Sequence, residues 1–176
     1  TKNQFTVYIE ASDNDGSGST TIKVFSVDVT NLNDNSPIFS SSSLYTIDEN
    51  EAAIGTATAT DADGDGITYS ISGSEILIDS ASGVLSFVSE PDYETKSSYT
   101  ATVTASDGTY STDQSITVSV NNLNDNSPVI TSSATFSALE NQTAIGTIVA
   151  SDADQDTLIY SVDNDALAIN SDSGVL

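Results

Sequence analysis

The 176-residue chain sets three Lys (Lys2, Lys23 and Lys96) and no Arg against 26 acidic residues, for a net charge of −23. Nothing in it neutralises phosphates, so nucleic acid and anionic lipid are poor partners. It has no Cys and no His, which removes disulfides, thiol chemistry and the commonest general base and transition-metal ligand.

Phe5, Val7, Ile9 and Ala11 alternate with polar neighbours, the period of a half-buried strand. Residues 13–18 read as a loop rich in Asp and Gly. Phe25, Val27 and Val29 form a second alternating strand. Asn31-Leu32-Asn33-Asp34-Asn35-Ser36-Pro37 follows, and it returns unchanged as Asn122-Leu123-Asn124-Asp125-Asn126-Ser127-Pro128, an offset of 122 − 31 = 91 residues. Self-similarity on this scale marks a tandem array. Asn, Asp and Pro suit a linker, not a strand interior. The reading is therefore the tail of one repeat over 1–30, a linker over 31–37 and a complete repeat over 38–121. A second linker over 122–128 and the head of a third repeat over 129–176 complete it. The chain reads as a window on a longer array. Alternatively, the tail half of one copy completes the head half of the next, giving a head-to-tail polymer by strand complementation.

Within the complete repeat, seven strands are predicted near 38–47, 55–60, 67–72, 76–79, 84–87, 99–106 and 114–121. Val, Ile, Thr and Tyr dominate them, and Gly, Asp and Ser punctuate them. No segment carries a 3.6-residue period and no apolar run approaches membrane-spanning length. Seven short strands with regular turn signals predict an all-β sandwich. The third unit repeats the order: Glu140-Asn141 for Glu49-Asn50, Asp152-Ala153-Asp154 for Asp61-Ala62-Asp63, Tyr160 for Tyr69, and residues 173–176 for 82–85. Tyr69 and Tyr160 read as core anchors.

The acidic residues fall at strand ends. Asp61, Asp63 and Asp107 are expected at the pole beside the first linker, and Glu49, Asp92 and Glu94 at the opposite one. Carboxylates gathered without partners repel or raise one another's pKa. A hard divalent cation that takes six to eight oxygens removes the conflict. Asp61-Ala62-Asp63-Gly64-Asp65-Gly66 also matches the opening of an EF-hand loop. That template fails at its twelfth position, Ser72 where Glu is needed, and at Ile67, Tyr69 and Ile71, which alternate like a strand.

Taken in order, Glu49-Asn50, the stretch 59–64 with Ile67-Thr68-Tyr69-Ser70-Ile71, Asp92-Tyr93-Glu94, Ala105-Ser106-Asp107-Gly108 and Asn124-Asp125-Asn126-Ser127-Pro128 resemble the cadherin repeat over essentially the whole chain. The resemblance implies tandem seven-stranded Greek-key sandwiches whose linkers each bind three Ca2+ ions. At the second linker it gives Glu49, Asp92, Glu94 and Asp125 to the first two ions, with the Leu123 carbonyl and Asp154 completing the second. It gives Asn124, the Asn126 carbonyl, Asp152 and Asp154 to the third. At the first linker, Asn33, Asn35, Asp61, Asp63 and Asp107 would hold the third ion, with Asp34 available for the others. The Asp13 loop is the counterpart of Asp107, and its calcium partners would lie upstream of Thr1. The second linker is therefore expected to hold two well-coordinated ions and a weaker third, and the first linker only the ion nearest Asp61, Asp63 and Asp107. The family's usual Asp at the linker start is Asn31 or Asn122 here, which lowers the local negative charge and weakens the ions. The units are shorter than typical animal repeats, which resembles bacterial cadherin-like arrays.

The function this implies is a non-catalytic, calcium-stiffened stalk or adhesion segment at a cell surface, with other copies of the protein as partners. The alternative is a carbohydrate-binding accessory module of a secreted polysaccharide-acting protein, which would need exposed aromatics aligned on one sheet. An enzyme is disfavoured, because no nucleophile–base pair can be built without His or Cys.

Overall fold

The structure, a computed structural model, describes residues 3–13 and 20–176. The loop expected over 13–18 lies outside the described residues except for Asp13. Every regular element among the described residues is a strand.

The N-terminal strands β1 (Gln4–Ser12) and β2 (Thr20–Asp28) pair antiparallel, with Phe5 opposite Val27 and Val7 opposite Phe25. They match the two alternating runs of the sequence. The complete repeat holds β3 (Ile38–Phe39), β4 (Leu44–Asp48), β5 (Ala53–Thr56), β6 (Ala59–Thr60), β7 (Thr68–Ile71), β8 (Ile76–Ile78), β9 (Val84–Phe87), β10 (Ser98–Ser106) and β11 (Ser111–Asn121). One layer has the order β4-β11-β10-β7, and the other is built from β5-β9-β8 and the pair β3-β6. β4 runs parallel to β11 while its neighbours run antiparallel. This is a Greek-key β-sandwich.

Two predicted strands are each divided. The run 38–47 breaks because Ser40 and Ser41 stay bonded to Thr58 beside β6 while Leu44 is held locally by Ser42. Ser40 and Ser41 N–H groups both donate to Thr58 O, and Leu44 N–H donates to Ser42 Oγ. Side-chain oxygens that satisfy nearby backbone compete with a ladder. β3 therefore stays on β6 while β4 crosses to the other sheet. The run 55–60 begins earlier, at Ala53, and is interrupted where Ala57 N–H turns to Gly83 O. Gly83 has φ +72°, and a Cβ there would meet Ala57 O at 2.1 Å; Gly174 repeats this approach against Ile148 O.

Between the layers, Ile47, Ile54, Ala57, Ile76, Leu85, Phe87, Val103, Ile116 and Val118 form the core. Tyr69 packs against it, and its hydroxyl accepts the Ala59 N–H at 2.9 Å. In the third unit Tyr160 accepts from Ala150 in the same way. Residues 129–176, read as the head of a third repeat, form fewer strands than the corresponding part of the complete repeat: β12 (Val129–Ile130) pairs with β13 (Ala150–Ser151), and Thr147 bridges Val175. In the complete repeat, β4 and β7 are laddered by β11 and β10. Residues 135–139 and 159–162, their counterparts, have no such partner strands among the described residues.

The ends of the long strands set the poles. β4 ends at Asp48 and delivers Glu49. β6 ends at Thr60 and delivers Asp61, and β10 ends at Ser106 and delivers Asp107. β11 ends at Asn121 and runs straight into the second linker.

Candidate metal centre at the repeat junctions

At the first junction the linker lies on the Asp61–Asp65 loop. Asp34 and Asn35 N–H groups donate to Asp63 Oδ2 at 2.9 and 2.8 Å, and Asn35 Nδ2 donates to Asp63 Oδ1 at 2.9 Å. Asn35 Nδ2 also reaches Asp34 Oδ1. Asp61 Oδ1 accepts the Asp63 N–H, and Asp107 Oδ1 accepts the N–H groups of Thr109 and Tyr110. The opposite oxygens differ. Asp61 Oδ2, Asp107 Oδ2 and Asn33 Oδ1 are each buried with no hydrogen-bond donor. A buried oxygen without a donor is unfavourable by a few kcal/mol unless something else satisfies it. These three acceptors suit a hard cation.

The second junction repeats the linker contacts one for one. Asp125 and Asn126 N–H groups donate to Asp154 Oδ2 at 3.1 and 2.8 Å, and Asn126 Nδ2 donates to Asp154 Oδ1 at 2.8 Å. This junction also includes the end of the complete repeat. Glu49 is 1% exposed. Its Oε1 accepts the Leu123 N–H at 2.7 Å and its Oε2 the Tyr93 N–H at 2.8 Å. Asn50, held at φ 65°, donates Nδ2 to Asp125 Oδ2 at 2.6 Å. Oxygens of Glu49, Glu94 and Asp125 all lie within 4.8 Å of one another.

Most of the expected residues are thus brought together, with differences. Asp92 lines the same cleft as Glu49, Glu94 and Asp125, but both its oxygens are engaged by Thr95. Asn124 is exposed, unlike the half-buried Asn33, and lines a cavity with Asp152 and Asn126. The Leu123 carbonyl accepts the Asp125 N–H. Asp65 and Asp156 were missed. Each offers an oxygen within 4.8 Å of Asp61 and Asp63, or of Asp152 and Asp154. The residue before each is left-handed: Gly64 at φ 81° and Gln155 at φ 66°. The signal was the Asp-x-Asp-x-Asp spacing, present in both units.

Hydrogen bonding and crowding divide the carboxyls. The Asn35 side chain and backbone hold Asp63 below the usual range. Burial raises Asp154, but the bonds from Asn126 and Asp125 outweigh it and bring it down. The Tyr110 and Thr109 N–H groups lower Asp107. Burial, then the charges of Glu49, Asp154 and Asp92, raise Glu94. A depressed group contributes stability that is lost as pH falls through its folded pKa. A raised group contributes stability present at low pH and lost as pH rises through its folded pKa. Without metal, acidification from neutrality is therefore expected to stabilise the junction as Glu94 protonates. It then destabilises the junction below about pH 4, as Asp63, Asp107 and Asp154 protonate. Thermal unfolding against pH in chelator checks this. Glu94→Gln should raise the neutral-pH unfolding temperature in chelator and flatten the rise on acidification.

Phe39, Tyr45, Tyr69 and Tyr99 pack against the core and do not form an exposed aromatic platform. The carbohydrate-binding alternative gains no support from them.

The family model of the Cadherin domain matches residues 43–121. Human Protocadherin Fat 1 is 33% identical over 140 residues, 72% of this chain and 3% of its own length. Human Cadherin EGF LAG seven-pass G-type receptor 2 is 36% identical over 163 residues, 85% of this chain and 6% of its own length. The chain thus spans a small part of these relatives. Among solved structures, mouse Cadherin-23 EC22-24 aligns with a TM-score of 0.75 at 24% identity, covering 99% of this chain and 63% of that one. Protocadherin gammaB7 EC3-6, a cis-dimer structure, aligns with a TM-score of 0.81 at 24% identity, covering 98% and 51%. With its 91-residue repeat, its split first strand and its strand-end acids, the chain belongs to the cadherin-like family of tandem β-sandwich repeats.

Proposed function

We propose that the chain is a non-catalytic part of an extracellular adhesion rod whose repeat junctions, at residues 31–37 and 122–128, are stiffened by Ca2+. The observation that carries this reading is the set of buried oxygens without donors, Asn33 Oδ1, Asp61 Oδ2 and Asp107 Oδ2, beside the linker. The close approach of Glu49, Glu94 and Asp125 supports it at the other junction. The repeats would run over 1–30, 38–121 and 129–176.

Glu49, Asp92, Glu94 and Asp125 would hold two ions at the second linker, together with the Leu123 carbonyl and Asp154. Asn124, the Asn126 carbonyl, Asp152 and Asp154 would hold a third. Asn33, Asp34, Asn35, Asp61, Asp63 and Asp107 are the corresponding set at the first linker, with Asp65 and Asp156 at the rims. The bound cation would supply positive charge that removes the repulsion and ties two repeats to one linker. Interfaces between domains of one chain are otherwise loose. The partners proposed are further copies of the same protein, a reading favoured by the cis-dimer described for protocadherin gammaB7. The relatives and solved structures compared above include human and mouse proteins.

Calorimetric titration of the chain with CaCl2 tests this. Saturable binding with a Kd on the order of 10⁻⁴–10⁻³ M is expected, the range of extracellular modules. Absence of binding at ten times that concentration would refute it.

A further inference from the structure

Both linkers start with Asn where the family pattern has Asp, and both asparagines make the same bond. Asn31 Nδ2 donates to the Asp63 carbonyl and Asn122 Nδ2 to the Asp154 carbonyl, each at 2.8 Å. An ionised Asp has no proton to donate, so the bond depends on the replacement. It joins three others on the same aspartate, from the Asp34 and Asn35 N–H groups and Asn35 Nδ2 at the first junction. Asp125, Asn126 and Asn126 Nδ2 supply them at the second. Each downstream aspartate therefore receives four hydrogen bonds from its linker.

From this we infer that Asn31 and Asn122 are positioning residues, holding each linker on its downstream repeat before any cation binds. A cation-free junction then bends on its upstream side. Only the second half, the effect of the cation, rests on the calcium reading above. Charge placement points the same way. Asp152, Asp154 and Asp156 share one loop, so their mutual repulsion does not push the linker away. Glu49 and Glu94 belong to the end of one repeat and Asp125 to the linker, so their repulsion acts across the join. The upstream side opposes it with two short bonds, Leu123 N–H to Glu49 and Asn50 Nδ2 to Asp125, and a 3.4 Å contact from Asn126 Nδ2 to Glu94. The replacement that lowers the negative charge of the linker also supplies a latch.

Amide hydrogen exchange on the whole chain tests this, with the Leu123 and Asn126 amides as reporters of the upstream and downstream sides. In excess chelator the Leu123 amide should lose protection by roughly tenfold or more, the worth of a bond to a charged acceptor, while the Asn126 amide stays protected. In Asn122→Ala and Asn122→Asp the Asn126 amide should lose protection in chelator by roughly 2- to 10-fold, the worth of one neutral bond. Calcium should restore it in both variants, which a general folding defect would not allow. Asn122 is exposed, so neither substitution disturbs the core. An Asn126 amide that opens as far as Leu123 in wild-type chelator, or that is unmoved by both substitutions, overturns the inference. If Asn126 is protected and sensitive to Asn122 while chelator changes nothing at Leu123, the latch stands and the calcium reading fails.

Discussion

Excess chelator is expected to lower the unfolding temperature of the chain by on the order of 10 °C and to broaden its dimensions in solution. A ligand that binds only the folded state stabilises it by RT ln(1 + [L]/Kd). With Kd near 10⁻⁴–10⁻³ M and calcium at 10 mM, that is about 1.4–2.7 kcal/mol for each occupied site. For a repeat of this size, each kcal/mol moves the midpoint by about 4–8 °C. The charge adds to the effect, since a net −23 repels itself more strongly once the cations leave. Differential scanning calorimetry and small-angle scattering, with and without chelator, check both parts. Unchanged melting and an unchanged scattering profile would contradict the expectation.

The single substitution with the largest expected effect is Glu49→Ala. Glu49 is buried, and its two oxygens accept the N–H of Leu123 in the linker and of Tyr93 in the turn that carries Asp92 and Glu94. Removing it strands two N–H donors and deletes a carboxylate shared by two of the proposed ions. Hydrogen bonds to charged acceptors are worth about 1.5–3 kcal/mol each, so a loss of about 3 kcal/mol is expected in calcium. In chelator the loss should be smaller, because deleting Glu49 also relieves its repulsion with Glu94 and Asp125. Denaturant unfolding in both conditions checks the difference. An equal loss with and without calcium would make Glu49 a purely structural residue.

Much of the complete repeat was legible because strand alternation is a local signal. Tyr99, Ala101, Val103 and Ala105 occupy one parity of β10, and Val103 and Ala105 are wholly buried. The division of the first strand was not legible, because it depends on Ser40 and Ser41 bonding to Thr58, a contact made only in the folded sandwich. The acids were legible as strand-end residues, but their partners were not. Asp92 reads as equivalent to Glu94, yet Thr95 three residues on engages it locally. Asp65 and Asp156 complete an Asp-x-Asp-x-Asp spacing in each unit, but only the folded loop shows that each carboxylate turns back toward the two aspartates before it. Asn31 and Asn122 read as a loss of charge, because sequence counts charges but does not show a donor reaching a carbonyl 32 residues away.

The most direct measurement is diffraction from crystals of the chain grown in millimolar calcium, with anomalous data to locate metal. Peaks are predicted among Glu49, Glu94 and Asp125, and beside Asp61, Asp107 and Asn33. Well-ordered junctions that hold only water at those positions in calcium would contradict the account.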